Sequence, residues 1–242
     1  MPDREEMRAF WNEKAEENPL WYVASNLEYS SPDEKRFWES GEEEVAAALA
    51  EAGVSGGDVA VDIGCGVGRL SRALASRFER VESRDVSTRM AELAAKNLAP
   101  LGNVNVRVIE GDGRVDLPDA SAEFVLSLQV FQHIPSARIT LSYIREAGRI
   151  LKPGGVFVFQ LRSFRAAGPL LGSVEHVARV VVETARRARK KPPESLDSPA
   201  WHGSRVGKWQ IRAAVQSVGM TVRSMRWISL RGASLQVVCS KP

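Results

Sequence analysis

The sequence predicts an α/β fold, a doubly wound and mostly parallel sheet with helices on both faces, and three observations predict it. Strand-like and helix-like stretches alternate between residues 59 and 161. The first strand pattern runs directly into a glycine loop, Gly64-Cys65-Gly66-Val67-Gly68. The last two apolar runs stand close enough in sequence to pair as an antiparallel hairpin.

Residues 1–55 read as an N-terminal helical cap. Phe10, Trp11, Trp21, Tyr22, Tyr29, Phe37 and Trp38 crowd before residue 40 and pin the cap to the sheet, while Trp11 and Tyr22 are the candidates to roof a ligand pocket. The first strand covers 59–63 and leads into a helix over 69–78. A strand over 80–84 reaches Asp85 and precedes a helix over 88–98. Next come a strand over 104–109, ending at Glu110-Gly111-Asp112-Gly113, and another over 122–128. A helix over 137–151 stops at Lys152-Pro153-Gly154-Gly155, where proline cannot continue it and glycine supplies the reversal before a strand over 156–161. Residues 163–207 interrupt the alternation as an insertion or lid, because connections of that length are uncommon unless they bind or cover something. Within it Leu170, Val174, Val177, Val181 and Ala185 recur at helical spacing. A helix over 209–218 and runs over 220–230 and 234–240 close a chain that reads as one domain, 1–242.

Composition removes several function classes. With 242 residues, 44% hydrophobic and 26% charged, the chain has the make-up of a soluble globular domain. No apolar run approaches the ~20 residues of a membrane span, and the start lacks a signal peptide's apolar segment, so the expected location is cytoplasmic. Two cysteines and three histidines do not make a zinc set or a disulfide framework, and no metal is expected. A net charge of +3 does not imply nucleic acid. The basic run Arg186-Arg187-Ala188-Arg189-Lys190-Lys191 reads as a helix C-terminus carrying favourable cations; contact of the 170–191 stretch with a membrane surface or an anionic substrate is the alternative.

Glycines at 64, 66 and 68 after a strand permit positive φ and the approach of a ligand to bare backbone. A dinucleotide fingerprint needs its third glycine where Arg69 stands, which removes the nicotinamide reading. Asp85 lies about twenty residues past the loop at a strand end, where a carboxylate accepts hydrogen bonds from both ribose hydroxyls of a nucleoside. Asp112 ends the next strand, and Leu151-Lys152-Pro153-Gly154-Gly155 precedes the fifth. In order and spacing this series resembles the class I S-adenosylmethionine-dependent methyltransferases, and within them the small-molecule enzymes of quinone-pathway and natural-product type.

That resemblance implies a Rossmann-like, seven-stranded sheet with a reversed last strand. It also implies S-adenosylmethionine as cofactor, S-adenosylhomocysteine as product, and methyl transfer to an oxygen or nitrogen of a small-molecule acceptor. The cofactor set it implies is Asp62, Gly64, Cys65, Gly66, Gly68, Asp85, Val86, Met90, Asp112, Gly113 and Gln129, with Asp112 at the adenine amino group and Met90 on the ring. Cys65 reads as a small filler, not a nucleophile. The run Phe124 to Pro135 looks like the family's segment after the fourth strand, which ends in His-His-Ile; this chain has Gln132 at the first of those places and Ser83 where a glycine commonly precedes the ribose acid by two residues. His133 is the candidate base and acceptor contact, with a hydrogen-bonding role in the pocket wall as its alternative. An RNA or protein methyltransferase and a non-catalytic S-adenosylmethionine-binding protein are the competing readings. Against a nucleic-acid exocyclic-amine enzyme, Ser127-Leu128-Gln129-Val130 stands where Asp/Asn-Pro-Pro-aromatic is wanted, and neither cysteine follows a proline as a cytosine-carbon enzyme needs.

Overall fold

The computed structural model describes residues 4–25, 27–164, 199–228 and 234–242. Three helices precede the sheet: α1 (Arg4–Glu17), α2 (Pro19–Val23) and α3 (Glu34–Ala52). Their starts and stops are written in the sequence. Asn18 caps the Trp21 N–H ahead of Pro19, Asp33 caps the Arg36 N–H, and Gly53 ends α3 in the left-handed conformation. Then come β1 (Gly57–Ile63), α4 (Arg69–Ala75), β2 (Phe78–Asp85), α5 (Thr88–Leu98), β3 (Val104–Val108), β4 (Ala122–Ser127), α6 (Ala137–Ile150) and β5 (Leu151–Arg162). After them the described chain forms α7 (Pro199–His202), α8 (Lys208–Gln216), β6 (Thr221–Trp227) and β7 (Ser234–Ser240).

The seven strands form one sheet in the order β3-β2-β1-β4-β5-β7-β6. β1 pairs in parallel with β2 and β4, β2 with β3, and β4 with β5. β7 runs antiparallel to both β5 and β6, which gives the expected reversed strand and hairpin. Two apolar layers follow from the period of two along each strand. Val59, Val61, Ile63, Val125, Phe157 and Phe159 face α6 and α8, where Ile144, Ala147, Ile211 and Val215 are buried. Ala60, Val81, Phe124, Leu126 and Val158 face α3 and α4, against Val45, Leu49, Leu70 and Leu74.

Some boundaries move. The helix expected over 69–78 ends at Ala75, because Phe78 already belongs to β2 and is buried, stacked on Phe124. The Lys152-Pro153-Gly154-Gly155 turn lies inside β5 as an irregularity of the ladder: Leu151 pairs with Ala122 and Val156 with Phe124, so the intervening residues bulge, with Gly154 at φ +81°. The helical spacing at 170–185 and the basic run at 186–191 lie outside the described residues. No helix among the described residues is long and apolar enough to cross a membrane.

Candidate functional site

The carboxyl ends of β1, β2, β4 and β5 open into a cavity of about 730 Å³, the usual ligand position in a doubly wound sheet. One end is the glycine loop. The N–H groups of Gly64 and Cys65 donate to the Arg84 carbonyl at 2.7 and 3.0 Å, which ties the loop to β2. Gly64, Cys65 and Gly66 line the cavity, whereas Gly68 does not. The missing side chains make room for protein as well as ligand: a Cβ on Gly64, whose φ is +81°, would stand 2.4 Å from the Val130 methyls.

Asp85 lines this end and is nearly buried. Its Oδ2 accepts the Gly66 N–H and its Oδ1 the Ser87 N–H, both at 2.8 Å, so the carboxylate fixes the loop and the start of α5 together. Burial pushes its pKa up against those hydrogen bonds. Asp62 lies fully buried behind the loop and off the cavity wall; burial raises it to about 6. Its Oδ2 accepts from Ser71 Oγ at 2.6 Å, and Ser83 Oγ donates to Ser71 at 2.8 Å, so Ser83 in the glycine's place extends this chain. The Oδ1 of Asp62 has no hydrogen-bond partner. Cys65 is a buried filler whose thiol is pushed far up by burial.

Val86 and Met90 line the cavity next to Asp85. Asp112, expected at the adenine amino group, and Gly113, expected in the cofactor set, do not line it. The reason is α1: Arg8 Nε donates to the Val86 carbonyl and its Nη2 to the Ile109 carbonyl, each at 3.1 Å, which brings Met7 over the ends of β2 and β3. Met7 and Ile109 form the wall there. Asp112 turns outward, accepting from the Arg114 N–H at 3.0 Å with Arg4 at 4.0 Å, and Gly113 packs on Ser142 of α6.

Gln129 lines the cavity at φ +62°, an uncommon conformation for a residue with a side chain. Its amide donates to both Glu44 oxygens at 3.3 Å. Glu44, from α3, also takes a two-pronged contact from Arg69 at 3.1 and 3.0 Å, while Ser40 accepts a third bond from the same buried guanidinium. Neither Glu44 nor Arg69 was expected in the site. A cation in the first turn of a helix opposes the helix dipole, and that was the only signal at Arg69; Glu44 sits in an acidic run that reads as a solvated face.

The other end is aromatic. Trp11 and Tyr22 line it as expected, together with Trp201 of α7, which lies in the segment of least regular sequence. His133 packs edge-on to Trp11, with ring centroids 5.3 Å apart, and lies 4.8 Å from the Trp201 ring. Its Nδ1 is 2.6 Å from the Trp201 carbonyl, which can only accept, so the proton sits on Nδ1. Nε2 is therefore an acceptor, and Gln132 Nε2 donates to it at 3.1 Å. Burial holds His133 neutral, down at about 4. Gly203, at φ +55°, lets α7 approach this turn: a Cβ there would be 2.1 Å from the Gln132 carbonyl oxygen.

Residues 61–159 match the family model described as "Methyltransferase domain". That stretch of the chain is therefore similar to a methyltransferase domain. Around this domain, the chain is 30% identical over 112 residues to the demethylmenaquinone methyltransferase of Tropheryma whipplei (strain Twist), covering 46% of this chain and 45% of that protein. It is 28% identical over 145 residues to a ubiquinone biosynthesis O-methyltransferase of Idiomarina loihiensis, covering 58% of each. The chain spans about half the length of the curated relatives it matches. Among solved structures, magnesium protoporphyrin IX methyltransferase (ChlM) from Synechocystis PCC 6803 with bound SAH superposes with a TM-score of 0.65 at 15% identity, over 99% of this chain and 100% of that one, which shows the shared fold. The residues present fit an adenosyl cofactor: bare backbone at Gly64 and Gly66, the Asp85 carboxylate on the wall, and the unpartnered Asp62 Oδ1 behind it.

Proposed function

We propose that the protein transfers the methyl group of S-adenosylmethionine to an oxygen or nitrogen of a small-molecule acceptor. The observation that carries this reading is one cavity with two unlike ends, Asp85 and the glycine loop at one and the Trp11, His133 and Trp201 rings at the other. When bound, S-adenosylmethionine supplies a methyl group on a sulfonium, a good leaving group for in-line displacement. The protein's part is alignment and exclusion of water. Holding an acceptor atom within ~3 Å of the methyl contributes roughly 7 to 11 kcal/mol relative to a dilute bimolecular reaction.

Asp85 holds the ribose end through its remaining lone pairs, with Val86 and Met90 against the base. The N-terminal cap and the described part of 163–207 wall the acceptor. Because Nδ1 is committed to the Trp201 carbonyl, Nε2 of His133 is the atom that takes the acceptor's proton. Its low basicity suits a proton that becomes acidic only as the acceptor gains its methyl group.

Incubation with radiolabelled S-adenosylmethionine and fractionated cell extract tests the reading. Label is expected in small molecules; label entering RNA or protein, or no transfer, overturns it.

A further inference from the structure

Two arginines at the aromatic end of the cavity face no carboxylate among the described residues. Arg162 ends β5 and Arg205 follows α7; both line the cavity, and their backbones form a parallel bridge. Arg162 Nη1 donates to the His202 carbonyl at 2.7 Å, and among the described residues no hydrogen bond engages its Nε or Nη2. Among the described residues, neither guanidinium makes an ion pair. The two carboxylates on the cavity wall, Glu44 and Asp85, are committed to Arg69 with Gln129 and to the backbone of Gly66 and Ser87. Burial and the neighbouring Arg205 charge both push Arg162 below its usual range. Two like charges held this way are relieved by an anion between them, and guanidinium forks match the paired oxygens of carboxylates and phosphates.

We propose that Arg162 and Arg205 form a subsite for an anionic oxygen group, carboxylate or phosphate, on the acceptor, whose flat apolar part lies among the Trp11, Trp201 and His133 rings. This deepens the functional reading above and rests on it for the word acceptor. The acceptor is then an aromatic or similarly flat acid.

The test is ligand-observed NMR on the full chain with benzoate, phenyl phosphate and uncharged benzamide, each with and without saturating S-adenosylhomocysteine. At least one anion should bind at least tenfold more tightly than benzamide, and the tighter of the two tells carboxylate from phosphate. Arg162→Gln and Arg205→Gln should each abolish that preference, and Arg205→Lys should keep most of it. Because Arg205 is exposed, R205Q is expected to fold even where R162Q does not, and melting curves check both. Equal binding of all three probes, or an intact preference in R205Q, overturns the subsite. A tenfold loss of S-adenosylhomocysteine affinity in R205Q also overturns it, by assigning the arginine to the cofactor. Failure of wild-type protein to bind S-adenosylhomocysteine sinks the methyltransferase reading instead, while the anion preference measured without it is judged separately.

Discussion

At the glycine-loop end of the cavity, Gly64, Cys65, Gly66 and Asp85 come from the ends of two adjacent parallel strands and are joined by backbone hydrogen bonds of 2.7 to 3.0 Å. At the aromatic end, Trp11, His133, Arg162 and Trp201 come from four distant segments and meet through rings and the carbonyls of Trp201 and His202. The first end is a property of the fold, since any doubly wound sheet places strand ends there. The second belongs to this chain, and it carries whatever distinguishes its acceptor. The two ends also shift in opposite directions, since burial favours the neutral form of each group: it raises Asp62 to about 6 and lowers His133 to about 4.

Acid should therefore act on the two ends with opposite sign. Asp62 rises from 3.8 to about 6 on folding, so its contribution is complete below 3.8 and lost as pH rises through about 6. His133 falls from 6.5 to about 4, so its contribution is present above 6.5 and lost as pH falls through about 4. Each is worth about 3 kcal/mol, and in the wild type they nearly cancel. Relative to wild type, Asp62→Asn should lose about 2 kcal/mol as pH drops from 6 to 4, and His133→Phe should gain a similar amount. Denaturant unfolding across that range reads both; two variants whose stability tracks the wild type at every pH would erase the contrast.

Gly203→Ala separates the ends by function. Its Cβ would meet the Gln132 carbonyl oxygen at 2.1 Å, with φ at +55°, so α7 must withdraw from the His133 turn. A misplacement of that order costs about 100-fold in kcat/KM for the acceptor. S-adenosylhomocysteine affinity should stay within about twofold, since nothing at the loop moves. A parallel loss of both would mean that the two ends are mechanically one.

Asp85→Ala strikes the loop end. Stranding the ligand's hydroxyls and the Gly66 and Ser87 N–H groups should weaken S-adenosylhomocysteine binding by about 1 to 3 kcal/mol by calorimetry. An unchanged affinity would mean that another acid holds the ribose.

The difference in construction also explains what could be read from the sequence. α5 covers 88–98 as expected because its Ser87 cap and apolar spacing are local. The loop and Asp85 were legible because strand, turn and acid follow one another along the chain. That Asp112 lies off the cavity wall could not be read, because nothing in Gly111-Asp112-Gly113 reveals that Arg8, about a hundred residues away, draws α1 across the strand ends. Trp201 and Arg205 could not be read at all: their roles depend on a close approach that Gly203 permits between segments about seventy residues apart in sequence.

Gln132 offers the smallest effect and the sharpest question. Its amide donates at 3.1 Å to the His133 Nε2 lone pair, the one to which the proposed function assigns the acceptor's proton, so under that proposal the two compete. A neutral hydrogen bond of this kind is worth about 1 kcal/mol. Gln132→Leu frees the lone pair while Nδ1 stays fixed on the Trp201 carbonyl, and kcat should rise by up to about fivefold with KM little changed. A fall in kcat would place the amide on the acceptor itself, with His133 serving to hold Gln132, and the proton would then leave by another route.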